Sequence, residues 1–204
     1  PIERAHMRVS RETMARHHTE IVAKAAVMLR ERGIDGLSVA DLMQAAGLTH
    51  GGFYRHFASK DALVAEATTA AFASIAERIE QGVATDGPAS ALRKYVADYL
   101  SLGHIVNPGV GCPVASFGTD VARQGEAVRE AYANGLDQMC SAIAGCFADP
   151  PAQSRQLARE IITTMVGTVV TSRATGDPRR MKSYLASARA TVDQLIARGT
   201  LKSN

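Results

Sequence analysis

The chain has 204 residues, with 23 Lys and Arg against 20 Asp and Glu, which gives a formal charge of +3 at neutral pH. Its 46% apolar and 21% charged residues are typical of a globular protein and exclude an intrinsically disordered chain. No run of about 18 uncharged apolar residues is present, which excludes a membrane-spanning helix. The N-terminal residues lack the pattern of a secretory signal. We therefore expect a cytoplasmic protein with no membrane partner.

The N-terminal part is predicted to hold one long helix followed by two short ones. Apolar spacings of three and four predict a helix over residues 11–32, and Gly33 stands where a C-terminal cap belongs. Ser38 is predicted to cap a brief second helix that Gly47 ends, and Thr49 to cap the third. The residues assigned to the buried faces are Ile21, Ala25, Met28, Leu29, Val39, Leu42, Met43, Phe53 and Phe57.

A fourth helix is predicted to begin after Ser59 and to reach about Gln81. Glycine and proline are concentrated in residues 82–88, which makes this segment the best boundary in the chain. We therefore predict two domains, residues 1–82 and residues 83–204. The buried stripe of the fourth helix is predicted to contain Leu63, Ala67, either Ala70 or Ala71, Ile75 and Ile79.

The second domain is also predicted to be helical throughout, so the fold class is all-α. The absence of Trp and the low aromatic content favour helices over sheets. A loop is predicted over residues 107–111. The predicted helices cover residues 89–105, 113–123, 125–147 (as one helix or two), 153–174 and 179–198.

Residues 37–56 have the pattern of a helix-turn-helix, in which two short helices meet at a glycine. The second helix of such a motif can enter a DNA major groove about 12 Å wide. Residues 1–60 hold nine basic and six acidic side chains and five of the six histidines. That mild basic bias is compatible with DNA binding but does not establish it.

A family pattern is carried by Ala46, Gly47, Leu48, Thr49, Gly51, Phe53, Tyr54, His56, Phe57, Ser59, Lys60, Asp61 and Leu63. With these residues, the chain resembles the TetR family of transcriptional regulators over about residues 16–76. Met43 departs from the pattern, because the family usually has a small residue there. The resemblance implies a homodimer in which each subunit places Thr49–His56 into one half-site of a palindromic double-stranded operator. It also implies that a small-molecule effector binds the C-terminal half. Such proteins are usually repressors, so the resemblance implies a repressor.

The resemblance assigns Tyr54 and Lys60, and with them Ser38, to phosphate contacts. It assigns His50, Gly51 and Arg55 to base-facing positions. His56 is open to two interpretations, a DNA contact or a packing residue. Gly51 and Gly52 are poor helix formers, and close approach of the backbone to DNA would explain them. The full predicted DNA-binding set is Ser38, Thr49, His50, Gly51, Gly52, Tyr54, Arg55, His56 and Lys60.

Apolar residues of the second domain are candidates for an effector pocket, although each of them could instead belong to an ordinary core. Cys112 directly precedes a predicted helix, whose N-terminal dipole can lower the pKa of a thiol and make it reactive. Its alternative role is a small buried side chain. The candidate ligand-binding residues are Tyr95, Tyr99, Cys112, Phe117, Met139, Phe147 and Met165.

The apolar stripes of residues 153–174 and 179–198 predict a four-helix dimer interface, with internal packing as the alternative. Cys112, Cys140 and Cys146 have the spacing of neither a disulfide framework nor a zinc site, so no metal or cofactor is predicted. No P-loop, zincin or hydrolase motif is present, so we predict that the protein is not an enzyme. A thiol-based redox enzyme centred on Cys112 and a protein-interaction module remain the alternative functions.

Overall fold

The computed structural model describes residues 11–203, so the first ten residues of the predicted N-terminal domain lie outside the described range. Over these residues the chain is helical, and extended pairing is limited to an isolated bridge between Phe147 and Leu201. The all-α prediction is confirmed. The α-helices are α1 (Arg11–Arg32), α2 (Val39–Ala45), α3 (Lys60–Asp86), α4 (Pro88–Tyr99), α5 (Leu102–Val106), α6 (Pro113–Val121), α7 (Glu126–Ala144), α8 (Pro151–Thr175) and α9 (Pro178–Ala197). Two 3-10 helices cover His50–Arg55, named the reading helix below, and Pro108–Val110.

The N-terminal helices begin and end where the sequence predicts. The Ser38 hydroxyl accepts a hydrogen bond from the Asp41 amide at 3.3 Å, which caps α2. The Ser59 hydroxyl caps α3 by accepting from the Ala62 amide at 3.1 Å. Gly47 has a φ of +71°, a left-handed conformation that glycine adopts without steric cost, and it turns the chain from α2 toward the reading helix.

The prediction that Thr49 caps the reading helix is wrong, because its side chain makes no capping hydrogen bond. A capping hydroxyl needs a free amide in the first turn. In the tight 3-10 turn the Gly52 amide is already bonded to the backbone carbonyl of Thr49 at 2.9 Å. The Thr49 side chain is left at the exposed start of the helix.

Helix α3 is longer than predicted and passes straight through residue 82. Gly82 does not end the helix. Its lack of a side chain instead lets α4 approach closely, since a Cβ at this position would lie 3.2 Å from the Ala91 Cβ. The helix ends instead at Gly87, where φ is +78°. The predicted domain division at residue 82 therefore falls inside a helix that both halves share.

Two hydrophobic cores lie along α3. The N-terminal core contains the faces of α1, α2 and the reading helix together with Leu63–Ala71 of α3. The C-terminal core begins at Phe72 and continues through Ile75 and Ile79 to α4 and α7–α9. The buried stripe predicted for α3 is confirmed, with Ala71 rather than Ala70 as its third member.

The predicted helix over residues 89–105 is two helices, because the chain turns at Leu100, where ψ is +50°. The carbonyl of Leu100 accepts a hydrogen bond from Arg189 Nε at 3.0 Å, and Ser101 caps α5. These contacts stabilise the break. Leu102, the first residue of α5, is 38% exposed as a result. The segment predicted as one helix or two, residues 125–147, contains the single helix α7.

Candidate nucleic-acid interface

The reading helix is held to the N-terminal core by its aromatic residues. Phe53 and Phe57 are buried with ring centroids 5.4 Å apart. The intervening Tyr54 is 72% exposed, and Arg55 is exposed beside it. Anchoring one face of the helix therefore leaves a phenol and a guanidinium on the opposite, solvent-facing side.

The other predicted contact residues surround this exposed face to different degrees. Thr49, His50 and Gly51 are exposed at the start of the reading helix. A Cβ at Gly51 would meet nothing within 4 Å, so the protein's own packing does not require glycine there. A Cβ at Gly52 would lie 3.6 Å from Met43 Cε, which places the residue that departs from the family pattern directly beneath the reading helix.

Ser38 and Lys60 lie at the first turns of α2 and α3, on either side of the reading helix in sequence, and both are partly buried. Free amides and the positive dipole end of a helix favour anions at such positions. The Ser38 hydroxyl already accepts a bond from the Asp41 amide, which leaves its proton as the group it can offer to an acceptor.

A cluster of imidazoles, missed by sequence analysis, lies at the end of the reading helix. The His56 ring centroid is 6.4 Å from that of His17 and 6.0 Å from that of His18, both on α1. His18 stacks on Phe57 at 4.6 Å, and its Nε2 lies 2.7 Å from Glu66 Oε2 on α3. Burial, and then the nearby His18, His17 and Arg55, lower the pKa of His56. No local pattern predicts this contact, because α1 and the reading helix are far apart in sequence.

Comparison with known proteins assigns the family. Residues 21–67 match the model of bacterial regulatory proteins of the tetR family, and residues 88–188 match that of the Tetracyclin repressor-like C-terminal domain. The chain belongs to the TetR family. It is a DNA-binding transcriptional regulator.

One relative is the HTH-type transcriptional repressor DhaR of Mycobacterium sp. (strain GP1), which is 24% identical over 186 residues that cover 90% of this chain and 89% of DhaR. Similar folds occur in a TetR regulator from Chloroflexus aurantiacus (TM-score 0.71, 23% identity, 94% of this chain and 100% of that one). The reduced form of E. coli NemR is also similar (TM-score 0.67, 17% identity, 84% and 95% covered).

The predicted ligand-binding residues are all buried, but they do not line one cavity. Phe117 belongs to the N-terminal core, where α6 packs against α1, and this separates it from the other six. A cavity of about 520 Å³ lies beside Tyr99, between α1, α3, α4 and the segment from α5 to the second 3-10 helix. An adjoining cavity of about 310 Å³ lies beside Tyr95 and shares Arg78 and Asp98 with the first. Neither cavity is lined by Cys112, Met139, Phe147 or Met165.

The first cavity combines an apolar rim with charged groups. Val106 and Val110 are 64% and 76% exposed at its edge. His104 is neutral there: burial lowers its pKa to about 4, and its two ring nitrogens contact the Tyr99 carbonyl at 2.7 Å and the Cys112 amide at 3.0 Å. The remaining lining residues are Val27, Glu31, Arg78, Asp98, Gly103, Asn107, Pro108 and Gly109.

The prediction that helix α6 lowers the pKa of Cys112 is wrong in direction, because burial raises it. The Tyr99 hydroxyl and the amides of Val114 and Ala115 act against that rise without reversing it. Burial likewise raises the pKa of Tyr99 well above its usual value. The hydroxyls of Tyr95 and Tyr99 are buried and have no well-aligned hydrogen-bond partner among the described residues.

Helices α8 and α9 pack against each other and leave an outer face. Between Ile161 and Ser172, α8 carries no charged residue, and its exposed positions include Gly167 and Val170. On α9, Tyr184 is 39% exposed. Among residues 11–203, no helix has the length and hydropathy needed to span a bilayer.

Proposed function

We propose that this regulator is a homodimeric repressor whose reading helices bind the two halves of a palindromic operator. The observation that carries the proposal is the outward projection of Tyr54 and Arg55 from a helix anchored by Phe53 and Phe57. In this arrangement Arg55 reaches base edges, together with His50 and Gly51, while Tyr54 and Lys60 contact phosphates. The relative DhaR is a transcriptional repressor, which supports repression as the sign of regulation.

The outer face of α8 and α9 supplies the dimer contact in this proposal. Its uncharged stretch around Gly167 and Val170 allows two helices from each subunit to approach closely, as in a four-helix interface. The two-fold symmetry of such a dimer matches the symmetry of a palindromic site. Loss of one half of the operator is therefore expected to weaken binding far more than one changed base pair.

The effector of this proposal is a small molecule bound in the cavity beside Tyr99. Its volume of about 520 Å³ lies within the range of small-molecule sites, and its walls include Val27 and Glu31 of α1. Arg30 of α1 also donates from Nε to the Gly109 carbonyl at 2.7 Å. A ligand that moved the 107–111 segment would thus act directly on α1, which packs against α2 and α3, the helices before and after the reading helix.

The test is a mobility shift on the DNA around the protein's own gene, with wild type, Arg55→Ala and Tyr54→Phe. Removing a base contact is expected to cost about 1–3 kcal/mol and to reduce discrimination between operator and random DNA. Tyr54→Phe removes only a hydroxyl, so it should weaken binding to both DNAs alike and by less. Wild-type binding should fall steeply with added salt.

Arg93→Ala is the matched control, because Arg93 is equally exposed but lies on α4. It should bind the operator like wild type. Equal affinity of wild type for operator and random DNA would contradict the proposal, and so would a full-strength shift by Arg55→Ala.

A second candidate function is regulation through Cys112. It is favoured by the position of this thiol at the start of α6, with the amides of Val114 and Ala115 directed to its sulfur. The raised pKa predicts slow reaction. Iodoacetamide, which forms a carbon–sulfur bond with loss of iodide, should release DNA from wild type but not from Cys112→Ser. Release from both proteins alike would dismiss this candidate.

A further inference from the structure

The imidazoles of His17, His18 and His56 form a compact cluster where α1, the reading helix and α3 meet. All three residues are partly exposed. The cluster is not a metal site, since no group of metal-ligating side chains among the described residues could hold an ion. It borders the DNA-reading surface directly, because His56 follows Arg55 and caps the reading helix.

The charges around the cluster are unbalanced. Glu66 on α3 is its one close carboxylate among the described residues, and Glu66 is already bonded to His18. On the reading helix, Arg55 adds positive charge beside His56. His56 therefore has no anionic partner in the described part of the chain, and a proton on its ring would place positive charge beside Arg55.

We propose that this cluster is a phosphate-binding site of the DNA interface, in which His56, with the rings of His17 and His18 beside it, takes up a proton when a backbone phosphate arrives. The inference rests on the proposed reading of DNA by residues 49–56. A phosphate supplies the negative charge that the cluster lacks, and imidazolium nitrogens donate hydrogen bonds to its oxygens. Such a contact adds affinity without reading sequence.

The sign of the pH dependence follows from proton linkage. In the free protein the pKa of His56 lies below its usual value, so the ring is neutral at neutral pH. An adjacent phosphate raises that pKa, and DNA binding then includes proton uptake. Affinity should rise as pH falls toward the lowered pKa, by up to about tenfold per pH unit for each proton bound.

The test measures affinity of the full chain for a random-sequence duplex at low salt and for the operator fragment, between about pH 6 and pH 8, where imidazoles titrate. Calorimetry in two buffers of different ionisation enthalpy counts the protons taken up. Wild type should bind both DNAs more tightly at the lower pH with net proton uptake, because a phosphate contact is independent of sequence.

His56→Gln should reduce the pH slope and the proton uptake. His56→Asn keeps the test informative if His56→Gln fails to fold. Arg93→Ala is the control, because Arg93 is exposed on α4, outside both the cluster and the reading helix, and it should keep the wild-type slope. The proposal is overturned if affinity is independent of pH, if it falls on acidification, or if both His56 variants keep the wild-type slope. Absence of any DNA binding at any pH would instead reject the proposed function.

Discussion

Tyr54 exposes 72% of its surface beside the buried Phe53, whereas Tyr95 and Tyr99 of α4 are buried with hydroxyls that have no well-aligned partner among the described residues. The N-terminal half thus presents the Tyr54 hydroxyl to solvent, and the C-terminal half encloses the hydroxyls of Tyr95 and Tyr99. The first arrangement depends on spacing within one short helix. The second depends on which distant helices close around α4.

The difference also appears in the hydrogen bonds of the two halves. In the N-terminal half, Ser38 and Ser59 bond to amides three residues away. In the C-terminal half, Arg173 reaches from α8 to the carbonyls of His104 and Ile105 at 2.9 and 3.1 Å. The capping bonds fix the starts of α2 and α3, and the bonds of Arg173 hold α5 to α8.

The largest effect is expected at the contact between α3 and α7. Gly135 of α7 lies against the Phe72 ring so closely that a Cβ would overlap it. Gly135→Ala forces the two helices apart and should lower the free energy of unfolding by about 1–3 kcal/mol, as overpacked cores do. Urea denaturation measures this change.

Asn134→Ala is the control for that substitution, because Asn134 is exposed on the same helix. It should leave stability unchanged or raise it by a few tenths of a kcal/mol, through helix propensity alone. Equal stability of Gly135→Ala and wild type would show that α3 and α7 are not fixed at this distance.

A pH effect on stability is expected from His104. Its pKa is lowered to about 4, so the unfolded chain binds a proton in a pH range where the folded chain does not. The stability contributed by neutral His104 is present above its ordinary pKa near 6.5 and is lost as pH falls toward 4. The loss should approach about 1.4 kcal/mol per pH unit within that window.

Urea midpoints at several pH values, for wild type and His104→Gln, measure this loss. The variant should have lower stability at neutral pH and a flatter decline on acidification. Parallel declines for the two proteins would show that the proton uptake on unfolding belongs to other groups, such as His56, whose pKa is also lowered.

Sequence analysis predicted the helices, the capping by Ser38 and Ser59, and the burial of Phe53 and Phe57, because each follows from spacing or side-chain chemistry within a few residues. It did not predict the break at Leu100, whose freed carbonyl is held by Arg189 from the other end of the domain. It grouped Phe117 with the effector pocket, although tertiary packing places that ring in the N-terminal core. The histidine cluster was missed for the same reason.

The smallest expected effect on stability distinguishes Ser38 from Thr49, both of which the sequence predicts to be helix caps. Ser38→Ala removes a capping bond and should lower the free energy of unfolding by about 1 kcal/mol. Thr49→Ala removes no capping bond, so it should leave the urea midpoint close to wild type. In the proposed interface Thr49 begins the reading helix, so the same change should weaken operator binding. A stability loss in Thr49→Ala equal to that of Ser38→Ala would mean that the reading helix needs its own cap after all, and that anchoring by Phe53 and Phe57 is not sufficient to hold it.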